Sequence, residues 1–248
     1  MKKSSISKNE YDLIEKIKNT SMGVFEINDV TRFMEWKKTK AYQTVHNLKN
    51  KGIISEVMNG KYVLSLFMEH NLFEIASHIV WPSYISFWTA LNYYKFTEQL
   101  PRTIFVAATK ARKEVEFENN KIKFVTIAET RFFGYRKVEG VIIADREKAL
   151  IDSLLLPRYA GGVDEIFKCL KTGWSELDKE VLVEYALRME NKSLLKRLGY
   201  LIERGDLEIS EELIEELHKR IGKGYSKLDP ELEKKGEYNK NWGVVVNW

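Results

Sequence analysis

Cysteine is almost absent from this chain: Cys169 stands alone among 248 residues. One thiol closes no internal disulfide and anchors no multi-cysteine zinc site, so the sequence implies a reducing, cytoplasmic setting. Histidine is nearly as sparse. His46, His70, His78 and His218 show neither the H-x-x-x-H nor the H-E-x-x-H spacing that sets two imidazoles on one helix face. Long apolar runs are missing too; a spanning helix needs roughly 18 or more such residues, and membrane insertion is not expected. The opening MKKSSISKNEYDLIEKIKN is basic but lacks an apolar core, so it does not read as a secretory signal. Neither a G-x-x-x-x-G-K-[ST] loop, a G-x-G-x-x-G fingerprint nor a G-x-S-x-G elbow occurs, which removes three common nucleotide-binding and hydrolase signatures. No cofactor, metal or catalytic residue is assigned.

What the chain does contain is an uneven distribution of charge. Residues 1–68 hold 12 Lys and Arg against 7 Asp and Glu, a surplus of 5; the other 180 residues hold 28 against 29. The whole basic excess therefore sits in the N-terminal quarter, where an attachment to a phosphate backbone would need it.

The same quarter has the clearest local pattern. Lys37 to Leu66 reads KKTKAYQTVHNLKNKGIISEVMNGKYVLSL. The periodicity predicts a helix from about Thr39 to Lys51, stopped by Gly52. Two strands follow, Ile53–Met58 and Lys61–Leu66, joined by Asn59-Gly60, a dipeptide suited to the positive φ angles of a type I′ turn. Ala41, Val45 and Leu48 form one buried stripe on the helix. Lys40, Gln43, Thr44, Asn47 and Lys51 occupy the opposite side. Upstream, Ser7 and Glu10 have capping-box spacing, Phe25-Glu26-Ile27 reads as a short strand, and Asn28 is placed to cap a second helix over Asp29–Glu35. That order is the order of a winged helix-turn-helix. Docked in the usual way, the third helix enters the major groove. Gln43 and Asn47 then face adenine, Lys40 reaches guanine, and Thr44 meets a thymine methyl or a phosphate. Lys37, Lys38 and Lys51 are expected phosphate contacts, and Asn59 and Lys61 at the hairpin tip are expected in the adjacent minor groove.

Beyond residue 69 the texture changes. LFEIASHIVW and Ser86–Tyr94 read as helices; Thr103–Ala108, Glu114–Glu118, Lys121–Ile127, Arg131–Arg136 and Gly140–Ala144 read as strands. Asp145 caps a helix over Arg146–Leu156 that Pro157 ends. From about residue 163 the chain reads as helical, over Asp164–Lys171, Glu176–Met189, Ser193–Arg204 and Glu211–Arg220, with Ser175 and Ser210 as caps. The last run, GVVVNW, is expected to return to the sheet as a strand. The expected architecture is α+β: a winged helix-turn-helix over 1–68, then a mixed α/β domain over 69–248 with a small antiparallel or mixed sheet and a helical C-terminal part.

Four stretches resemble a known family when taken in order: the N-terminal unit ending NGKYVLSL, then PSYISFWTALNYYKF, then VIIADREKALIDSLLLPRYAGGVDEI, then LLKRLGYLIE with YSKLDP and WGVVVN. The chain is similar to the AbiEi-type antitoxins and transcriptional regulators of type IV toxin–antitoxin (abortive infection) systems. The resemblance implies a regulator that binds operator DNA and represses its own operon; repeated half-sites are expected in that operator, bound by a two-fold dimer or by cooperating monomers. It also implies an antitoxin domain that counters a nucleotidyltransferase-like toxin without a stable complex, and it brings no catalytic residues. Two other readings compete. Asp145, Glu147 and Asp152 would hold a metal if the second domain were a nuclease or nucleotide-transfer enzyme. Alternatively the first domain would contact protein, with the aromatic segment Trp81–Phe96 as a partner surface.

Overall fold

The computed structural model describes residues 5–20, 22–65, 72–117 and 119–248. The N-terminal part runs α1 (Lys8–Thr20), β1 (Phe25–Glu26), α2 (Ile27–Met34), α3 (Lys38–Asn50), β2 (Ile54–Met58) and β3 (Lys61–Leu64). The three strands form an antiparallel sheet in the order β1-β3-β2. α1 starts as expected: Ser7 N–H donates to Glu10 at 2.6 Å, and Glu10 N–H donates to Ser7 Oγ at 3.4 Å. α2 does not start as expected. It begins at Ile27, two residues before the predicted Asp29, because Glu26 and not Asn28 is its cap; Glu26 N–H donates to Asp29 Oδ2 at 2.9 Å. Leu13, Ile17, Phe25, Val30, Ala41, Val45, Leu48, Ile54 and Leu64 close a small core between helices and sheet.

The rest of the chain is built on a six-stranded mixed sheet. Its strands are β4 (Ser83–Ile85), β5 (Thr103–Ala108), β6 (Val115–Phe117), β7 (Asn120–Thr126), β8 (Tyr135–Val138) and β9 (Val141–Ala144), in the order β6-β7-β5-β4-β9-β8. β5 pairs in parallel with β7, and β4 with β9; the other pairs are antiparallel. Two short helices, α4 (Leu72–His78) and α5 (Phe87–Tyr93), precede β4 and β5. α4 packs on β9, β4 and β5, while α5 packs on β5 and on α6 (Arg146–Leu155). α6 is the pivot, buried at every position from Glu147 to Leu154. Around it lie α7 (Val163–Gly173), α8 (Lys179–Arg188) and α9 (Lys192–Arg204), with α10 (Glu211–Ile221) against α8 and α9.

Several elements in this part differ from expectation. β4 falls between two predicted helices, where no element is assigned; it is only three residues long and fully buried, so it shows no alternation to detect. The strand expected over Arg131–Arg136 lies at Tyr135–Val138 instead, because Glu129–Arg131 form a 3-10 turn and Gly134 turns the chain at φ +68°. The C-terminal strand β12 (Val244–Val246) does not join the large sheet. It pairs with β10 (Ser226–Lys227) and β11 (Glu237–Asn239) in a separate three-stranded sheet that packs on α9. α8 is capped by Asp178, whose carboxylate accepts Val181 N–H, and not by Ser175. The predicted boundary at residue 68 lies outside the described residues. Among the described residues, no helix is long and apolar enough to cross a membrane.

The N-terminal hairpin has apolar neighbours on both faces. Ile54, Tyr62 and Leu64 belong to the small core, whereas Val57 and Val63 are buried in the large one, with Met58 packed against it. β2 lies against β6, the edge strand of the six-stranded sheet. The hairpin is therefore a wall shared by the two cores.

Candidate nucleic-acid interface

α3 forms over Lys38–Asn50 with Lys37 at its N-cap in an extended conformation. Its buried stripe is Ala41, Thr44, Val45 and Leu48. Its end is a Schellman arrangement: Ile53 N–H donates to Leu48 O at 3.0 Å, Gly52 N–H donates to Lys49 O at 2.9 Å, and Gly52 adopts φ +72°. The hairpin turn departs from type I′. Gly60 has φ +78°, but Asn59 does not adopt a positive φ. A register shift between Glu56 and Met58 accommodates the difference, and Gly60 N–H donates to Glu56 Oε1 at 2.9 Å.

The nine residues expected to face nucleic acid divide into two sets. Lys37, Lys38, Lys40, Gln43 and Asn47 are exposed, as is Asn59 at the hairpin tip. Lys40 Nζ sits 4.1 Å above the centroid of the Trp36 ring, which holds the ammonium on the outer side of the helix. Gln43 and Asn47, one turn apart, have no side-chain hydrogen bond among the described residues. The other three are engaged inside the protein. Thr44 is buried, and its hydroxyl donates to Lys40 O at 2.9 Å, so its place on the outer face is corrected: it belongs to the stripe with Ala41 and Leu48. Lys51 donates to both oxygens of buried Glu10, at 2.8 and 2.7 Å, and to Ser5 O at 2.9 Å. Lys61 donates to Glu26 Oε1 at 2.5 Å. Lys51 and Lys61 thus tie α3 and the hairpin to α1 and β1. Burial tends to raise the Glu10 carboxyl, but the bonds from Lys51 and Ser7 outweigh it and hold the group below its ordinary range.

Two further residues, which the sequence does not single out, stand on this face. Tyr42 is 60% exposed, and its ring stacks with His46 at 6.3 Å between centroids and 7° between planes. With Lys38, Lys49, Asn59 and Gly60 they line a cleft of about 440 Å³ between α3 and the hairpin. The cleft's two carboxylates are already matched: Glu26 with Lys61, Glu56 with Lys49. An aromatic one turn from a histidine is a visible signal in the sequence, but side-chain type alone does not distinguish a solvent-facing pair from a packed one.

The carboxylates of the competing enzyme reading go to separate tasks. Asp145 occupies the N-cap of α6, yet its side chain reaches Arg136 at 3.5 Å and accepts from Tyr185 Oη at 3.2 Å. Burial, then Asp145, pushes the Tyr185 phenol up to about 12. Glu147 accepts Asp178 N–H at 2.9 Å. Asp152 is fully buried and bonded to the equally buried Lys148 ammonium, to Tyr84 Oη at 3.0 Å and to Ser86 Oγ at 2.7 Å. Burial first, then the Asp152 charge, raises the Tyr84 phenol well above its ordinary value. Among the described residues, no group of three or more His, Cys, Asp or Glu is arranged to hold a metal ion.

Fold and site together define an α+β protein with a small helical unit and hairpin built onto a larger sheet-and-helix body. No family model matches the chain, and no curated protein does. Among solved structures it is similar to the crystal structure of the RV2827C protein from Mycobacterium tuberculosis, with 12% identity, a TM-score of 0.62, and coverage of 97% of this chain and 92% of that one. At that identity the likeness is one of fold.

Proposed function

We propose that residues 1–68 form a winged helix-turn-helix and that the protein is a DNA-binding transcriptional regulator that represses its own operon. α3 is the recognition helix, α2 crosses the backbone, and the β2–β3 hairpin is the wing. The observation that carries this reading is the outer face of α3: Gln43 and Asn47 stand exposed and unengaged one turn apart, with Lys37 and Lys38 exposed at the helix start. Both amides have the donor and acceptor pair that matches adenine in the major groove. The surplus of 5 positive charges over residues 1–68 supplies the attraction to phosphate. The antitoxin role, against a nucleotidyltransferase-like toxin, rests on the sequence resemblance and is part of the same proposal. In this reading the protein acts by binding and not by catalysis.

The test is a mobility shift on duplex DNA from just upstream of the gene, against a scrambled duplex of equal length, at low and moderate salt. A shift specific to the upstream duplex that survives moderate salt is expected. Equal, salt-sensitive binding to both would reduce α3 to a backbone contact, and no binding to either would overturn the reading. Co-expression with the neighbouring gene then tests the antitoxin part: relief of growth arrest is expected, and unrelieved arrest would remove it.

A further inference from the structure

Trp81 is out of keeping with its surroundings. Ile79, Val80, Ser83 and Tyr84 on either side are buried, yet Trp81 is 73% exposed, although a tryptophan has about 150–250 Å² to hide. It lies two residues before β4, and the β4–β5 register ends at Ser83 opposite Ala108. Trp81 and the connection that follows Ala108 therefore leave the sheet at the same end. The connection from β5 to β6 that begins there reads Thr109-Lys110-Ala111-Arg112-Lys113-Glu114, and residues 110–114 are all exposed. Lys110, Arg112 and Lys113 form no ion pair among the described residues. Of the acids next in the chain, Glu114 is paired with Lys121 at 2.7 Å and Glu116 is exposed on β6. Three cations in four residues, none of them in an ion pair among the described residues, thus leave the sheet at the same end as an exposed indole. They do so in a part of the chain that is, taken whole, slightly acidic, with 28 basic against 29 acidic residues.

We propose that Trp81 and the loop cations Lys110, Arg112 and Lys113 form a second nucleic-acid contact, separate from α3, that takes a single strand. The cations supply attraction to consecutive phosphates. The indole supplies a face on which an unpaired base stacks, which is the combination that sequence-tolerant single-strand binders use. A duplex hides its base faces within the stack, so Trp81 discriminates for the unpaired form while the cations serve either. An anionic lipid surface also attracts tryptophan beside basic residues. The single strand is favoured because the patch has one aromatic and no apolar skirt to sink into acyl chains: the other exposed residue of the loop's basic stretch is Ala111.

The test uses the full chain and a fluorescein-labelled 12-nucleotide mixed-sequence single strand, read by anisotropy across a salt series. The wild type is expected to bind it. Trp81→Ala should weaken binding about 5- to 100-fold, the range that loss of one stacked base implies. The triple variant K110Q/R112Q/K113Q should flatten the dependence of log affinity on log salt by about 2, at roughly 0.7 for each single-strand phosphate no longer neutralised. Both variants lie at exposed positions and should keep the wild-type circular dichroism spectrum, and both should keep duplex binding through α3. Single-strand binding that is unchanged in both variants but abolished in K37Q/K38Q would overturn the proposal by assigning all nucleic-acid contact to α3. So would no single-strand binding by the wild type. Recruitment to phosphatidylserine vesicles that depends on Trp81, without oligonucleotide binding, would overturn it in favour of a membrane contact.

Discussion

Two lysines predicted alike for phosphate contact, Lys38 and Lys51, do unlike things, and the difference is where their carboxylate neighbours lie. Lys38 is exposed at the open rim of a cleft, whereas Lys51 satisfies a buried carboxylate. Lys51→Ala should therefore cost about 1–3 kcal/mol of stability by stranding Glu10, and urea unfolding would show it. The pH dependence has a definite sign. Glu10 is held below its ordinary range in the folded chain, so its contribution is present above the unfolded value and is lost as pH falls through the folded one. Lys51→Ala should reduce that acid-side component to the part that the Ser7 bonds supply. On the outer face, Gln43→Ala and Asn47→Ala should each lower discrimination between operator and scrambled DNA by about 1–3 kcal/mol. Thr44→Ala should leave discrimination unchanged, since its hydroxyl caps a carbonyl inside the helix. Competition binding with single-base operator variants separates these outcomes. In the body of the protein, Asp152→Ala leaves the buried Lys148 ammonium without a counter-charge and should cost about 3–5 kcal/mol. Asp152→Asn keeps acceptors for Tyr84 and Ser86 and should cost less in the same urea assay.

Among the elements, α9 sets two effects against each other. Alanine is favoured over glycine in a helix interior by about 1 kcal/mol, so helix propensity alone would make Gly199→Ala stabilising. A Cβ at Gly199, however, would lie 2.1 Å from the buried Trp242 ring. Overpacking against a rigid ring costs about 1–3 kcal/mol, so the variant should be less stable than wild type by thermal or urea unfolding. That contact joins two segments 43 residues apart and is invisible in the sequence, where WGVVVN reads as a strand for the large sheet. Elements with strong local signals are legible: the Ser7–Glu10 cap, the Gly52 stop and the run of C-terminal helices. β4 is not, because a short strand with all three side chains buried has no period. Nor is the inward turn of Thr44. Its polarity points outward, while its place one turn from Leu48 and beside Val45 puts it in the stripe, and geometry prevails. For the candidate site, residue type finds the helix and the hairpin, but which lysines are already paired depends on Glu10 and Glu26, 41 and 35 residues away.

At the scale of the molecule, charge and rigidity are arranged together. Lys51 and Lys61 are committed internally, so on the proposed docking the cations α3 would offer to phosphate are mainly Lys37 and Lys38, with Lys40 over Trp36. Three contacts predict that log affinity for the operator falls with log salt at a slope of about −2.7 per bound chain, where five would give about −4.5; a mobility-shift series over salt measures it. The hairpin also decides how the protein can be dissected. Alternate residues of β3 serve different cores: Tyr62 and Leu64 one, Val63 the other. A truncation that keeps only the first quarter of the chain would leave Val57, Met58 and Val63 facing water, and such a piece should self-associate or be degraded in expression trials. The modular layout that the charge distribution invites is therefore not a layout of interchangeable parts. Chimeras that graft this helix and hairpin onto another body would need new polar residues at those three positions, or a new edge strand to receive them.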